Sequence, residues 1–187
     1  LPYVQIDWVG RFTAAAGTVI YDGGAWPSPW NYNYFCTEPT INIVHHQVVK
    51  PDGVSYTAQR QQGRETAEFI GGKDYWFRPI DVRVGPDGGV YITDFYNQAV
   101  IHNDTRGPKH GPRNAAIRPD RDHYYGRIYR LDHKQSKPVS VPNLTKAKPA
   151  ELVSALETPN RHTRMNALRL LVEGDGKGAI PALKQLA

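Results

Sequence analysis

The pattern of apolar and polar residues changes once along the chain, from a period of two to a period of about 3.6. Up to about residue 131, short alternating segments are separated by turns rich in Gly, Pro and Asp, which is typical of β-strands and hairpins. From about residue 149, Leu and Ala recur at helical spacing. The sequence therefore predicts a mainly β region followed by helices.

The clearest predicted element is a β-hairpin over residues 76–97. Alternating apolar residues flank the turn sequence Gly-Pro-Asp-Gly-Gly at residues 85–89. Proline presets φ at one corner of such a turn, and Asp-Gly and Gly-Gly tolerate positive φ. A further strand is predicted over residues 126–131, where apolar and basic residues alternate.

A pattern of strand, acidic residue, short loop and second strand ending in His occurs twice. The copies begin at residues 35 and 91, with Glu38 and Asp94 at matching positions, and they end at His45 and His102. Short strands with Gly and Pro turns at such a period favour a β-propeller, in which each blade is a four-stranded sheet. The chain supplies about two blades, which cannot close a ring alone.

The C-terminal region predicts a helical hairpin and the start of a third helix. Asn160 is the expected N-cap of the second helix, and the Gly-Asp-Gly at residues 174–176 is expected to end it. Short amphipathic helix pairs of this kind are typical of the first unit of an α-solenoid. Residues 136–148 are rich in Lys, Pro and Ser, which predicts a linker.

Composition narrows the classes of function. The net charge is +5, and the basic residues between positions 106 and 148 are interpreted as a solvated surface. The chain has no run of about 20 apolar residues, which a membrane-spanning helix needs. The single Cys36 excludes an intrachain disulfide and any paired-cysteine haem or zinc motif within these residues. Nucleotide-binding glycine motifs and the serine-hydrolase elbow are also missing.

One arginine and two acids lie near the ends of the predicted strands. Arg78 precedes a proline, which holds its backbone extended, and a guanidinium matches two oxygens of a carboxylate. Glu38 and Asp94 can hold Ca²⁺ or act as bases. The structural alternatives are an ion pair for Arg78 and turn capping for the two acids.

Histidines are the candidate proton acceptors. His45 and His102 end or follow predicted strands, and an imidazole near carboxylates can take a proton from an alcohol. The alternative is a structural His that is hydrogen-bonded inside the fold. No zinc-binding spacing of histidines occurs in the sequence, so we assign no metal ligands.

Two further segments have open interpretations. An aromatic cluster over residues 26–35, with two tryptophans, predicts either a carbohydrate-stacking surface or packing between blades. Residues 103–125 form a long loop rich in Pro, Gly and Arg, which predicts either a functional or partner-contacting segment or a disordered one. The chain starts with Leu-Pro-Tyr and no initiator Met, so we expect a fragment or a processed product.

Several of these segments occur in a characteristic order. They are residues 14–21, residues 35–39 with Asn42 and His45, residues 76–79, residues 85–88, and residues 122–123 with residues 126–130. In this order, and with a helical hairpin after them, they resemble the membrane-bound dehydrogenase family of large bacterial proteins, a label that itself rests on similarity to quinoproteins. The resemblance covers about residues 12–186.

The resemblance implies a fold and an organisation. In that family a β-propeller similar to that of soluble quinoprotein glucose and sorbosone dehydrogenases precedes HEAT-type repeats and often a c-type cytochrome domain. The implied fold class is mainly β, a partial β-propeller of about two blades followed by an α-helical hairpin of HEAT-repeat type. Residues 1–135 would be the C-terminal blades, 136–148 a linker and 149–187 the first HEAT-like repeat.

The resemblance also implies an activity and a set of partners. The chain would be a fragment of a sugar or alcohol dehydrogenase that uses pyrroloquinoline quinone (PQQ) and Ca²⁺ and passes electrons to a c-type cytochrome, with haem c only outside this chain. Its partners would be the remaining blades of the same polypeptide and the cytochrome, with no nucleic acid. Its location would be periplasmic or membrane-associated, in a bacterial cell envelope.

Residue roles follow from the resemblance only in part. Arg78 is the best candidate for touching the quinone or substrate, with Asp94, Asn97 and Glu38 as further cofactor contacts. His45 and His102 are candidate bases from their position alone. Two alternatives stay open: a non-catalytic propeller and HEAT scaffold in a larger redox or envelope assembly, and a lactonase-like metal hydrolase.

Overall fold

The computed structural model describes residues 11–97, 124–137, 139–174 and 176–186. In this part of the chain the fold is mainly β, with two antiparallel sheets that are not closed and three short α-helices. The predicted change from strands to helices is confirmed. No helix in the described residues has the length and apolar character that crossing a membrane requires.

The first sheet has five strands, and β3 is its longest. They are β1 (Thr18–Ile20), β2 (Tyr34–Glu38), β3 (Ile43–Asp52), β4 (Ser55–Gln59) and β5 (Ile70–Gly71). The order is β1-β2-β3-β4, and β5 pairs with the beginning of β3. Strand β2 is almost wholly buried, whereas β4 is exposed along its length.

The register of β2 and β3 decides which side chains share a face. Cys36 lies opposite His45, and Phe35 lies opposite His46. Because side chains alternate between the faces of a strand, His45 and His46 point to opposite sides of the sheet. The prediction that a strand ends at His45 was wrong, since β3 continues to Asp52. Cross-strand pairing with β4 extends it beyond the point at which the sequence pattern weakens.

The second sheet contains the predicted hairpin. Its strands are β6 (Pro79–Val84), β7 (Val90–Asp94) and β8 (Arg127–Leu131), in that order. The turn between β6 and β7 is closed by the N–H of Gly88, which donates to the carbonyl of Gly85 at 3.0 Å. Gly88 has a φ of 82°, a conformation that residues with a Cβ rarely adopt. Both the hairpin and the strand after residue 126 are confirmed.

Three α-helices follow, and they share one core. They are α1 (Pro149–Ala155), α2 (Arg161–Glu173) and α3 (Ile180–Leu186), with single 3-10 turns at Ser28–Trp30 and Gly176–Ala179. The predicted N-cap is confirmed, because the Asn160 side chain accepts the N–H of Thr163 at 3.2 Å. The helical core consists of Leu144, Leu152, Val153, Ala155, Ala167, Leu171 and Ala179.

The chain divides into two compact units. The first comprises Leu1–Val19, Asn33–Arg83 and Ile92–Tyr129; the second comprises Ile20–Tyr32, Val84–Tyr91 and Arg130–Ala187. Phe35, Val44, Val82 and Ile92 are among the most deeply buried apolar residues of the first unit. The second unit holds the helical core. All candidate site residues that the structure describes lie in the first unit.

Candidate functional site

Glu38 is a buried carboxylate at the end of β2, and four backbone N–H groups bind it. Oε2 accepts from Thr13, Ala14 and Ala15, each at 2.9 Å, and Oε1 accepts from Thr40 at 3.1 Å. Burial by itself would raise the pKa of Glu38, but the four N–H groups together hold it below its ordinary value. Glu38 therefore anchors residues 13–15 as an ionised side chain.

Asp94 occupies the matching position at the end of β7. Its Oδ1 accepts the backbone N–H groups of Arg78 and Tyr96, each at 2.8 Å. Both acids thus bind the N–H two residues ahead, Thr40 for Glu38 and Tyr96 for Asp94. The matching positions of the two acids in the repeat correspond to the same local hydrogen bond. Oδ2 of Asp94 is buried and has no hydrogen-bond partner in the part of the chain that the structure describes.

Arg78 extends its guanidinium between two loops. Nε donates to the carbonyl of Asn97 at 3.1 Å, and Nη1 donates to the carbonyl of Pro39 at 2.9 Å. Burial lowers the pKa of Arg78, and the nearby charge of Asp94 opposes that effect. The side chain therefore ties the loop after β7 to the loop after β2.

His45 is hydrogen-bonded to a carboxylate that sequence reasoning did not identify. Its Nδ1 lies 2.7 Å from Oε2 of Glu68, and Oε1 of Glu68 accepts from Nη2 of Arg60 at 2.6 Å. The ring of Phe12 meets the imidazole edge to face, with centroids 5.1 Å apart. A histidine whose Nδ1–H binds a carboxylate presents Nε2 as its proton acceptor. A histidine–carboxylate pair is an arrangement that general bases use, and the His45 side chain is buried, with 9% of its surface exposed.

Sequence reasoning missed Glu68 and Arg60 because no local pattern indicates them. Glu68 lies 23 residues after His45, on the segment that leads into β5. Only the pairing of β5 with β3 brings that segment beside the imidazole. An isolated Glu before a two-residue strand carries no periodic or motif signal.

His46 lies on the other face of the sheet, in an aromatic environment. Its ring stacks on Phe35 with centroids 5.0 Å apart, and Phe69 lies at 5.9 Å. Burial lowers the pKa of His46 to about 4, with smaller effects from His45 and Arg64. At neutral pH this histidine is uncharged and belongs to the core.

The aromatic residues around position 30 are divided between core and surface. Trp26 is buried and stacks on Tyr21, with centroids 4.7 Å apart, while Trp30 meets Trp26 edge to face at 5.4 Å. Tyr32, in contrast, is 66% exposed. The two tryptophans therefore contribute to packing within the second unit.

A comparison with known protein families assigns the chain to one of them. A family model described as a domain of unknown function, DUF7133, matches residues 2–135, which is more than two thirds of the chain. The chain belongs to the DUF7133 family. Neither the curated proteins nor the solved structures contain a significant match.

Within the DUF7133 region, the predicted cofactor contacts are engaged inside the protein. The carboxylate of Glu38 accepts four N–H groups, Oδ1 of Asp94 accepts two, and Arg78 binds backbone carbonyls. No group of three or more His, Cys, Asp or Glu among the described residues could hold a metal ion. Cofactor binding by Arg78, Asp94, Asn97 and Glu38 stays a prediction.

Some of the predicted site residues of this chain lie outside the described residues. His102 does, and so do residues 103–123 of the long basic loop. Asn97 is described and buried, and its N–H donates to the carbonyl of Trp76 at 3.0 Å. The structure thus brings Arg78, Asp94 and Asn97 together at one end of β7, while His45 lies separately on β3.

Proposed function

We propose that this chain is part of a quinoprotein-like dehydrogenase that oxidises a sugar or another alcohol and passes the electrons to a c-type cytochrome. The resemblance of its segment order to membrane-bound dehydrogenases supports the proposal. So does the repeated strand, acid and loop pattern, because both acids make the same hydrogen bond two residues ahead. Under this proposal the sheets are propeller blades, the helices are the first HEAT-type repeat, and the protein works in the bacterial cell envelope.

The observation that carries the proposal is the pairing of His45 with Glu68. Alcohol oxidation needs a base that removes the hydroxyl proton, and an imidazole held by a carboxylate can serve that purpose. The Nδ1 to Oε2 distance of 2.7 Å orients the ring, and Arg60 at 2.6 Å from Glu68 keeps that carboxylate ionised. His45 would accept the proton at Nε2.

The cofactor part of the proposal concerns the longer polypeptide. Because Glu38, Oδ1 of Asp94 and Arg78 bind backbone groups, other blades would have to supply most contacts to PQQ and Ca²⁺. The cytochrome partner, the substrate and the envelope location belong to the same proposal.

Dye-linked turnover of the full-length protein tests the proposal. The protein is reconstituted with PQQ and Ca²⁺ and assayed over a panel of sugars and alcohols. His45→Gln should lower kcat by about 10²-fold or more, which is the usual contribution of a general base. Glu68→Gln should lower kcat less, because the base remains and only its orientation weakens.

A matched histidine change serves as the control. His162 is exposed on α2, so His162→Gln should leave turnover unchanged. Absence of any quinone-dependent activity over the whole panel would count against the dehydrogenase. Full activity of the His45→Gln variant would remove His45 from the mechanism.

A second candidate is a non-catalytic propeller and HEAT scaffold in a larger redox or envelope assembly. The hydrogen bonds of Glu38 and Arg78 to the backbone favour the scaffold, since both side chains hold loops in place. This reading predicts stable capture of a cytochrome by the full-length protein together with no turnover. The lactonase-like reading needs several carboxylates around a metal ion and gains no support from the described residues.

A further inference from the structure

An aromatic cleft lies on the first unit, and His45 does not line it. Its volume is about 550 Å³, and its lining residues are Asp74, Trp76, Tyr96, Tyr125 and Arg127. Small-molecule sites usually measure about 300 to 1,000 Å³ and combine aromatic walls with a few polar groups. We call these five residues the Trp76 cleft.

Three aromatic rings form the walls of the Trp76 cleft. The centroids of Trp76 and Tyr96 are 5.6 Å apart, and those of Tyr96 and Tyr125 are 6.4 Å apart. Tyr125 is 58% exposed. Rings placed at an open surface in this way provide apolar faces to a ligand that arrives from solvent.

The two charged residues define what kind of ligand fits. The guanidinium of Arg127 lies over the Tyr96 ring, with Cζ 3.9 Å from its centroid. Asp74 accepts the N–H of Trp76 at 2.9 Å, and its hydrogen bond to Tyr96 raises the pKa of that phenol. The cleft therefore holds one fixed positive and one fixed negative charge. A quaternary ammonium ion would meet the arginine, and a polyanion would meet the aspartate.

The backbone at Tyr96 is held in an uncommon conformation. Its φ is 46°, which is unfavourable for a residue with a bulky side chain and persists only when the surroundings determine it. Here Asp94 binds the N–H of Tyr96 at 2.8 Å, and the next N–H, that of Asn97, binds the carbonyl of Trp76 at 3.0 Å. The loop is thus fixed so that Trp76 and Tyr96 stand side by side before any ligand binds.

We propose that the Trp76 cleft binds a neutral carbohydrate chain. The C–H faces of a pyranose ring pack on aromatic rings, while its hydroxyl groups both donate to a carboxylate and accept from a guanidinium. The Trp76 cleft offers both kinds of group within one neutral site. This inference goes beyond the proposed dehydrogenase and does not depend on it, because it concerns binding without turnover.

Titration calorimetry of the full chain with soluble neutral oligosaccharides of glucose, xylose and mannose tests the proposal. At least one should bind saturably with a Kd of about 1 mM or lower. Tyr125→Ala and Trp76→Leu should each weaken that binding by about tenfold or more, equivalent to one aromatic contact. Binding should change little between low and high salt, since no net charge is neutralised.

Matched aromatic changes outside the cleft serve as controls. Tyr124→Ala and Tyr75→Ala remove rings that are 88% and 84% exposed and are direct sequence neighbours of the cleft residues. They should change the Kd by less than about twofold. Thermal unfolding of each variant confirms that it is folded.

Three results would overturn the proposal. The first is absence of saturable binding for every neutral oligosaccharide. The second is tighter binding of choline or of oligogalacturonate, which would assign the cleft to a charged ligand. The third is an equal loss of affinity in the control and cleft variants. None of these readouts uses quinone or turnover, so failure here is distinct from failure of the dehydrogenase proposal.

Discussion

The backbone N–H of Tyr96 donates a hydrogen bond of 2.8 Å to Oδ1 of Asp94, and Tyr96 has a positive φ. The same oxygen accepts the N–H of Arg78. One carboxylate oxygen therefore fixes both the start of β6 and the loop that follows β7. The candidate cofactor residues Arg78 and Asp94 and the wall of the Trp76 cleft form one connected structure.

Replacing Asp94 should destabilise this loop. Asp94→Ala leaves two N–H groups without their acceptor, and we expect the free energy of unfolding to fall by about 2 to 4 kcal/mol. Asp94→Asn keeps an oxygen acceptor and should lose clearly less. Urea unfolding followed by tryptophan fluorescence measures both variants, and equal stability of Asp94→Ala and the wild type would contradict the assigned role.

Glu38 should contribute a pH-dependent part of the stability. Its pKa in the fold is lower than in the unfolded chain, so the unfolded state binds more protons and stability is lost as pH falls below about 4.5. Glu38→Gln removes that contribution. The free energy of unfolding of this variant should therefore fall less steeply as the pH is lowered below 4.5. The control Glu157→Gln changes an exposed acid and should leave most of the pH dependence below 4.5 in place.

His46 should make the fold sensitive to mild acid. Its pKa of about 4 in the fold lies below the value of 6.5 in the unfolded chain, so the unfolded state takes up a proton first as pH falls. Stability should decrease by about 3 kcal/mol between pH 6.5 and pH 4, and this contribution levels off below pH 4.

A phenylalanine at position 46 isolates this effect. His46→Phe keeps a ring between Phe35 and Phe69 but cannot be protonated. Denaturant unfolding at several pH values should therefore show a shallower slope between pH 4 and pH 6.5 in this variant. An unchanged slope would show that the acid sensitivity comes from other groups.

Asn160 offers a test that separates capping from tertiary hydrogen bonding. Its Oδ1 caps α2, while its Nδ2 donates to the carbonyls of Gly23 at 3.0 Å and Gly85 at 3.1 Å. Asp is as good an N-cap as Asn, but Asn160→Asp would place a carboxylate against those two carbonyls. We expect Asn160→Asp to cost at least as much as Asn160→Ala, about 2 to 4 kcal/mol. A nearly neutral Asn160→Asp variant would show that capping alone matters.

Local features of the fold were predictable because they depend on residues that are close in sequence. The β6–β7 hairpin follows from a turn in which Gly88 takes a positive φ, and the start of α2 follows from the cap at Asn160. The end of β3 was not predictable in the same way. That strand continues past His45 because it pairs with β4, and the partner strand is a tertiary influence.

The candidate sites also combine features that could be predicted from neighbouring residues with features that depend on tertiary contacts. Arg78, Asp94 and Asn97 could be selected from their places around a strand end. The sequence could not show that Arg78 and Oδ1 of Asp94 would bind backbone groups. Glu68 reaches His45 only through the pairing of β5 with β3. The Trp76 cleft combines residues from three separate segments, and nothing in their spacing predicts that Tyr125 and Arg127 meet Trp76.

The amino-acid sequence alone was enough to predict the β6–β7 hairpin, the strand after residue 126, the N-cap at Asn160 and the equivalence of Glu38 and Asp94, because φ preferences and short-range hydrogen bonds depend on neighbouring residues. Which distant groups these side chains contact, and how far β3 extends, depends on the folded chain as a whole. Those contacts arise from sheet pairing and burial, which bring together residues that are remote in the chain and leave buried polar groups to find whatever partners lie within reach.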